Sequence, residues 1–440
     1  MSEIVYIEKM AYGGSGIGKL PGGKVIFVDG AYPGELVEVD VLSEKKDYAF
    51  GKLEKIVEKI LERRTAKCPY FRNCGGCNFL DLKYEKQLEF KKMVFMDQLE
   101  RIAELKLNDL YIEKSPKEYE YRLKMEYSIL NDYSFGFKMK NSHKVVSVKN
   151  CIIAPKVFGK ILEKLSLTLS HFKIPIYNFK RKKGLLKHVI LRYSPSGEVM
   201  LIFVTKSDYF KEGKKIASLI KKEFPFIKSI VHVMNSNDKI VLRGPYKVLS
   251  GEGVINYEFS WEKFQVPPTA FFQNNFHVAE KMVEFLTKKL DLNGNEVVLD
   301  LFSGLGTFSL RLAALSKFVI AVESSHVSVK AGRANANING LKNIKFIEAD
   351  ALDYLNQVNE KFDVIVLDPP RAGIGPEAVK KILELSPQKI GYVSCNPTTF
   401  ARDLRLLLEK YEIEDIRIFD MFPQTYHIES VAILSRKNNL

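Results

Sequence analysis

No apolar run in these 440 residues stays uncharged over the ~18 positions that a membrane span needs. The opening Met-Ser-Glu-Ile-Val-Tyr-Ile-Glu-Lys lacks the charged-then-apolar pattern of a signal peptide. The expected location is the cytoplasm, with no membrane partner. There is no internal repeat and no low-complexity segment. Hydrophobic residues at 46% and charged residues at 27% exclude a disordered or collagen-like chain. Acidic residues are in short supply: 53 against 67 basic ones, for a formal net charge of +14. That balance favours a polyanionic partner, nucleic acid first. Between Lys173 and Arg192 acids are missing altogether. Seven basic residues stand there (Lys173, Lys180, Arg181, Lys182, Lys183, Lys187 and Arg192), with Tyr177 and Phe179 among them. Basic side chains neutralise phosphates while aromatic rings stack on bases.

At ~150 residues per domain, the length suggests two or three domains. Residues 1–60 read as short strands punctuated by glycine, with Glu35–Val41 alternating as a half-buried strand does. This pattern predicts a small OB-like barrel. Residues 61–265 mix a helical stretch at Tyr84–Ile102 with strand-like runs and carry the basic segment, which predicts a strand-rich central domain. Residues 266–440 alternate strand and helix. Strands are expected at Val297–Asp300, Phe318–Val322, Ile344–Ile347, Phe362–Leu367 and Ile390–Ser394, with two closing strands near Ile416–Phe419 and Ser430–Leu434. The fold class is therefore α/β, with a Rossmann-like, mostly parallel seven-stranded sheet.

Asp300-Leu-Phe-Ser-Gly-Leu-Gly-Thr-Phe308 follows a strand and opens a helix. Gly304 and Gly306 let the backbone turn sharply and approach a ligand. The third glycine of a pyrophosphate loop is lacking, because Ser309 stands there. Glu323 ends the second strand, where a carboxylate receives ribose hydroxyls. Asp350 ends the third, where one can receive an adenine amino group. Such a set fits an adenosyl ligand without pyrophosphate, and S-adenosylmethionine is the natural candidate.

Asp368-Pro-Pro-Arg371 ends the fourth strand. Methyltransferases acting on exocyclic amines typically place an aromatic residue after such a segment, and Arg371 takes that place here. Ser394-Cys-Asn-Pro397 ends the fifth strand, so Cys395 faces the same crevice. A thiolate adding to carbon 6 of uracil turns carbon 5 into a nucleophile. The carbon 5 proton must then leave to a base. Glu429, entering the last strand in His427-Ile-Glu-Ser430, is the candidate base.

Cys68, Cys74, Cys77 and Cys151 remain. In a cytoplasmic protein this set reads as metal binding before disulfides. Four thiolates suit zinc or an iron–sulfur cluster. The single C-x2-C pair leaves both open.

Taken together, the motifs resemble the RNA (uracil-5-)-methyltransferases of the RumA/RlmD type, which methylate uridine in 23S ribosomal RNA. The resemblance runs nearly end to end. It takes in the TRAM-like barrel, the four cysteines, Phe272-Gln-Asn-Asn275, Asp300-Leu-Phe302, Asp368-Pro-Pro-Arg-Ala-Gly373, Ser394-Cys-Asn-Pro397 and His427-Ile-Glu-Ser430. It implies a 4Fe–4S cluster on Cys68, Cys74, Cys77 and Cys151. It also implies S-adenosylmethionine contacts from Gln273, Phe302, Thr307, Glu323 and Asp350, and Asp368 where cofactor and uracil meet. Cys395 would be nucleophile and Glu429 base. The barrel and central domain would grip RNA, with the target base unpaired or flipped out. Thr307 departs from the family's frequent Asn, Ser303 from a Cys, and Tyr121-Arg-Leu-Lys124 from a Tyr-Arg-Asn pattern. Transfer RNA is the alternative substrate. A non-catalytic RNA-binding protein would lack the nucleophile or base, and both are present. A DNA cytosine-5 enzyme places its cysteine after the fourth strand. No protein partner is expected, and a monomer is the default.

Overall fold

The computed structural model describes residues 2–140, 142–238 and 241–437. The N-terminal strands β1 (Ser2–Met10), β2 (Ser15–Lys19), β3 (Val25–Asp29), β4 (Leu36–Glu44) and β5 (Tyr48–Glu58) close into a barrel in the order β1-β2-β3-β5-β4. Alternate residues point inward, so Val5, Ile7, Ile26, Val28, Val37 and Val39 fill the interior. Arg63 clasps the barrel to the neighbouring segment of chain. Its guanidinium binds Glu35 from the barrel and Asp81 beyond it, each at 2.5 Å, and lies 4.4 Å over the Tyr32 ring.

Helix α1 (Tyr84–Ala103) and the short strand β6 (Tyr111–Glu113) come next. A seven-stranded sheet then assembles from β7 (Lys124–Ile129), β8 (Phe135–Lys138), β9 (Val145–Ser147), β10 (Leu186–Tyr193), β11 (Val199–Thr205), β12 (Ile227–Met234) and β13 (Tyr246–Gly251). Helices α2 (Val157–His171) and α3 (Gly213–Glu223) cover one face. β10 and β11 are buried along nearly their whole length, and their two-residue period divides them between two faces. Val189, Leu191, Leu201 and Phe203 pack with the residues of α2 and α3. Ile190, Met200, Ile202 and Val204 face the other way, into the C-terminal core. The hairpin β14 (Ile255–Glu258) and β15 (Lys263–Val266) also packs there.

The remaining elements are α4 (Phe276–Leu290), β16 (Val297–Leu301), α5 (Ser309–Leu315), β17 (Phe318–Glu323), α6 (His326–Ile338), β18 (Ile344–Glu348), α7 (Ala351–Gln357), β19 (Val364–Leu367), α8 (Gly375–Leu385), β20 (Lys389–Ser394), α9 (Pro397–Leu407), β21 (Tyr411–Phe419) and β22 (Glu429–Arg436). Their sheet runs β18-β17-β16-β19-β20-β22-β21-β6. The first five strands are parallel, β22 beside β20 is antiparallel to them, and β21, antiparallel to β22, runs in their direction again. This is the expected Rossmann-like sheet with one strand added. β6 pairs parallel to β21 and makes the sheet eight-stranded rather than seven.

The stretch 61–265, expected as one strand-rich domain, therefore feeds three cores. Phe90, Val94, Phe95 and Leu99 of α1 lie in the core under the C-terminal sheet, where the Phe95 and Phe400 rings stack at 5.8 Å. Among the described residues no helix is long and apolar enough to cross a membrane.

Candidate functional site

In an open parallel sheet, ligands sit beyond the carboxyl ends of the strands, where the strand order reverses. Here that point lies between β16 and β19. The loop after β16 is strained. Phe302, a bulky residue, adopts φ +65°, a left-handed conformation that costs roughly 1–2 kcal/mol. Gly306 has φ +99°, and a Cβ there would come within 3.1 Å of the Phe346 ring. Glu323, at the end of β17, anchors the loop: its carboxylate accepts from the Gly304 amide at 3.0 Å and the Ser325 amide at 2.7 Å. Thr307 is half-buried in the same loop. Asp350 is exposed and caps α7, accepting from the Leu352 amide at 2.9 Å. Gln273 is half-buried in the connection from β15 to α4. The neighbouring Asn274 is bonded through its own carbonyls to the amides of Leu123 and Lys124.

Asp368 follows β19. Withdrawal from water pushes its carboxyl up to about 7. Asp300, at the end of β16, is fully buried. Its Oδ2 accepts from the Ser309 hydroxyl and its Oδ1 has no partner. Burial raises Asp300 to about 7, and Asp368 and Glu323 add to the rise.

Cys395 follows β20, half-buried. The next two residues start α9: Asn396 caps it by accepting from the Thr398 amide, and Pro397 sits in its first turn. The Asn396 amide group also donates to the Arg371 carbonyl at 2.9 Å, tying the Asp368–Arg371 turn to the cysteine loop. Glu429 reaches the same place from the opposite direction. Because β22 is antiparallel to β20, with Ser394 opposite Ser430, the start of β22 lies at the carboxyl end of β20. Glu429 is buried. Burial pushes its carboxyl up to about 8; Asp368 adds to this, and Arg371 and Lys91 oppose it. Burial, then Glu429 and Asp368, push the Cys395 thiol up to about 12, against Arg371. The Arg371 guanidinium also lies 3.5 Å from His427 Nδ1.

Beneath this crevice is a polar network that the sequence did not reveal. Lys91 of α1 is buried, 2.5 Å from the Asp420 carboxylate, and donates to the Phe422 carbonyl at 2.9 Å. Tyr84 donates to Asp420 at 2.7 Å and accepts from the Ser115 amide at 2.9 Å. Lys91 thus fixes the 420–422 turn that leads into Glu429. Lys91→Met leaves Asp420 buried without its cation. We expect a loss of about 3 kcal/mol or more of stability, read as a lowered urea midpoint. An unchanged midpoint would refute this.

The four other cysteines line one cavity of about 320 Å³, together with Arg122, Lys124, Glu126 and Asn274. None of the five cysteines is in a disulfide. Burial raises the Cys74, Cys77 and Cys151 thiols, Cys151 to about 11, and neighbouring thiols add to each rise. Among the described residues no three Cys, His, Asp or Glu side chains converge on a single-ion position. Four thiols lining one cavity are a donor set of the kind that holds zinc or an iron–sulfur cluster.

The basic segment needs correction. Lys187 and Arg192 are buried and structural. Lys187 binds Asp238 at 2.7 Å and the carbonyls of Asn235 and Asn237, and Arg192 donates to the carbonyls of Pro268 and Ala270. Tyr177 is also buried, its ring near the Lys187 ammonium. The exposed part is the loop tip carrying Phe179, Lys180, Arg181, Lys182 and Lys183.

The family model described as tRNA (uracil-5-)-methyltransferase matches residues 83–437, and the TRAM domain model matches residues 4–53. The chain belongs to the tRNA (uracil-5-)-methyltransferase family. A relative from Thermotoga maritima, described as an uncharacterized RNA methyltransferase, is 48% identical over 436 residues and 99% of both chains. Another so described, from Caldanaerobacter subterraneus, is 35% identical over 98% of this chain and 97% of its own. The crystal structure of Pyrococcus abyssi tRNA (uracil-54, C5)-methyltransferase in complex with S-adenosyl-L-homocysteine superposes with a TM-score of 0.80. It is 30% identical and covers 99% of this chain and 100% of that one. Like its family, this chain is an RNA methyltransferase with a TRAM barrel ahead of a Rossmann-like domain. At the crevice, Asp300, Arg371 and Lys91 join the candidate site residues. Asp300 and Arg371 lie in motifs visible in the sequence, and Lys91 does not.

Proposed function

We propose that this enzyme methylates carbon 5 of a uridine in RNA, with Cys395 as nucleophile and Glu429 as base. The observation that carries the reading is the convergence of Cys395, Glu429, Asp368 and Arg371 at one strand-end crevice, supported by the antiparallel register of β20 and β22. Cys395 adds through sulfur to carbon 6, and the electron pair of the carbon 5–carbon 6 bond moves toward the carbonyl oxygen at carbon 4. When bound, S-adenosylmethionine supplies the electrophilic methyl group that carbon 5 takes up. Glu429 removes the carbon 5 proton; the carbon 5–carbon 6 double bond re-forms and Cys395 leaves as thiolate. Arg371 favours the ionised forms of both groups. Phe302, Gly304, Gly306, Thr307, Glu323 and Gln273 would hold the cofactor, Asp350 its adenine end, and Asp368 would line its meeting point with uracil.

Our first substrate is 23S ribosomal RNA, on the barrel and the cysteine set. Transfer RNA is the second reading, favoured by a specific observation: the Pyrococcus abyssi tRNA enzyme is covered over its whole length by this chain, so a barrel does not exclude tRNA. Labelled S-adenosylmethionine offered with separate unmodified 23S rRNA and tRNA pools tests this, with nucleosides mapped by mass spectrometry. 5-Methyluridine in rRNA supports the first reading, and in tRNA alone the second. No label in either pool, with the cofactor bound, refutes both.

We also propose that Cys68, Cys74, Cys77 and Cys151 hold a 4Fe–4S cluster. Anaerobically purified enzyme is expected to contain iron and acid-labile sulfide in equal amounts, and Cys151→Ser to lose most of both. An active protein containing zinc and no sulfide would overturn this assignment.

A further inference from the structure

We propose that Tyr12, a residue of the N-terminal barrel, is a positioning residue for Cys395 and couples seating of the barrel to reactivity of the nucleophile. The proposal rests on Cys395 acting as nucleophile, as argued above. Tyr12 lies in the turn between β1 and β2. Its hydroxyl donates to the backbone carbonyl of Cys395 at 3.2 Å, across 383 residues of sequence. Its ring meets Tyr426 edge-on at 5.8 Å, and the Tyr426 ring lies 4.4 Å from that of His427, two residues before Glu429. One barrel side chain thus touches both the loop of the nucleophile and the approach to the base.

The turn comes this close because of Gly14. It has φ +85°, and a Cβ there would stand 3.2 Å from the Tyr426 Cβ and 3.4 Å from the Phe79 ring. Burial raises the Tyr12 hydroxyl well above its usual range, with Arg371 opposing and Cys395, Tyr426 and Glu429 adding to the rise. The hydroxyl therefore keeps its proton and remains a donor at working pH.

The geometry gives the bond a purpose beyond holding the barrel. The Cys395 carbonyl fixes the peptide plane between Cys395 and Asn396. The far side of that plane is already held by the Asn396 backbone N–H, which donates to the Ser394 hydroxyl at 3.2 Å, while the Asn396 side chain binds the Arg371 carbonyl. With both sides fixed, the Cα–Cβ direction of Cys395 is set. Displacing a reacting atom by about 1 Å can cost 10²-fold in rate. A barrel displaced from its seat withdraws the Tyr12 hydroxyl and frees the plane. The nucleophile is then in register only while the barrel is docked, the posture in which RNA spans both.

The test is single-turnover kinetics with full-length enzyme and the RNA pool that the wild type methylates. Adduct is counted as protein–RNA covalent complex after denaturation. Tyr12→Phe keeps the ring and removes only the hydroxyl. It is expected to slow adduct formation about tenfold or more at saturating RNA, while Kd for RNA and for S-adenosylmethionine stays within twofold. Gly14→Ala, which pushes the turn away from Tyr426, should show the same slowing. It serves as the deciding variant if Tyr12→Phe is not folded by circular dichroism. Adduct formation at the wild-type rate in the folded variant overturns the proposal. So does a loss confined to RNA affinity, which marks a binding contact only. Cys395→Ala run beside them separates the two failures. Methylation retained there refutes the nucleophile itself, whereas a dead Cys395→Ala beside a wild-type-like Tyr12→Phe refutes only the role of Tyr12.

Discussion

Cys395→Ala is expected to lower methyl transfer by at least ~10⁴-fold and to abolish the covalent protein–RNA complex, the scale on which loss of a nucleophile acts in covalent catalysis. Binding of S-adenosylmethionine should change by less than twofold, because the adenosyl-binding candidates lie after β15, β16, β17 and β18 and not on the loop after β20 that carries Cys395. The size of the effect comes from the chemistry. Carbon 5 of uracil does not take a methyl group until carbon 6 has gained a nucleophile, and a methyl side chain supplies none. The resting thiol is not activated, since burial and two carboxylates hold it up at about 12. The corollary is that free enzyme reacts slowly with alkylating reagents at Cys395. Turnover within tenfold of wild type, measured as tritium from labelled cofactor in RNA, would exclude a covalent route through this residue.

Much of this centre was legible because parallel sheets write their chemistry at strand ends. β16, β17, β19 and β20 are nearly continuous apolar runs, each with an acid or the cysteine in its last two positions or directly after it. That is how Asp368, Glu323 and Cys395 emerged from one sequence. Glu429 emerged for a different reason: it opens a strand, and only the antiparallel turn of β22 brings an opening residue to the same edge.

What stayed hidden involved contacts with no local trace. Tyr12 and Lys91 reach the site from a barrel turn and an early helix. Nothing in the pattern around them distinguishes a tyrosine in a glycine-rich turn or a lysine on an amphipathic helix from ordinary surface. Lys187 and Arg192 misled in the opposite sense. Long basic side chains are exposed by default, and their burial depends on carbonyls and a carboxylate supplied by distant loops. The three-residue β6 is too short to carry a period. Its place as eighth strand is set by parallel pairing of Tyr111–Glu113 with Arg417–Phe419 of β21.

Glu429→Gln should separate the two halves of the reaction. Addition of Cys395 and methyl uptake do not need the base, whereas release of the enzyme does. The variant is therefore expected to turn over about 10²–10⁴-fold more slowly while a methylated protein–RNA complex accumulates, the reverse of what Cys395→Ala does. The pH profile carries a second signature. With its carboxyl raised to about 8 by burial, Glu429 is mostly protonated at pH 7 and cannot take the carbon 5 proton until it ionises. Under conditions where release limits the rate, activity should climb roughly tenfold per pH unit toward about 8 and then level. The same shift acts on stability with the opposite sign. Between the ordinary carboxylate range and about 8, the folded protein holds a proton that the unfolded chain has released. The Glu429 contribution to stability therefore falls as pH rises through that window. Glutamine cannot titrate, so the variant should lose that part of the slope in urea midpoints measured from pH 5 to 8. Normal turnover without accumulated complex would remove Glu429 from the role of base, and an unchanged stability slope would show that its carboxyl does not titrate in this window.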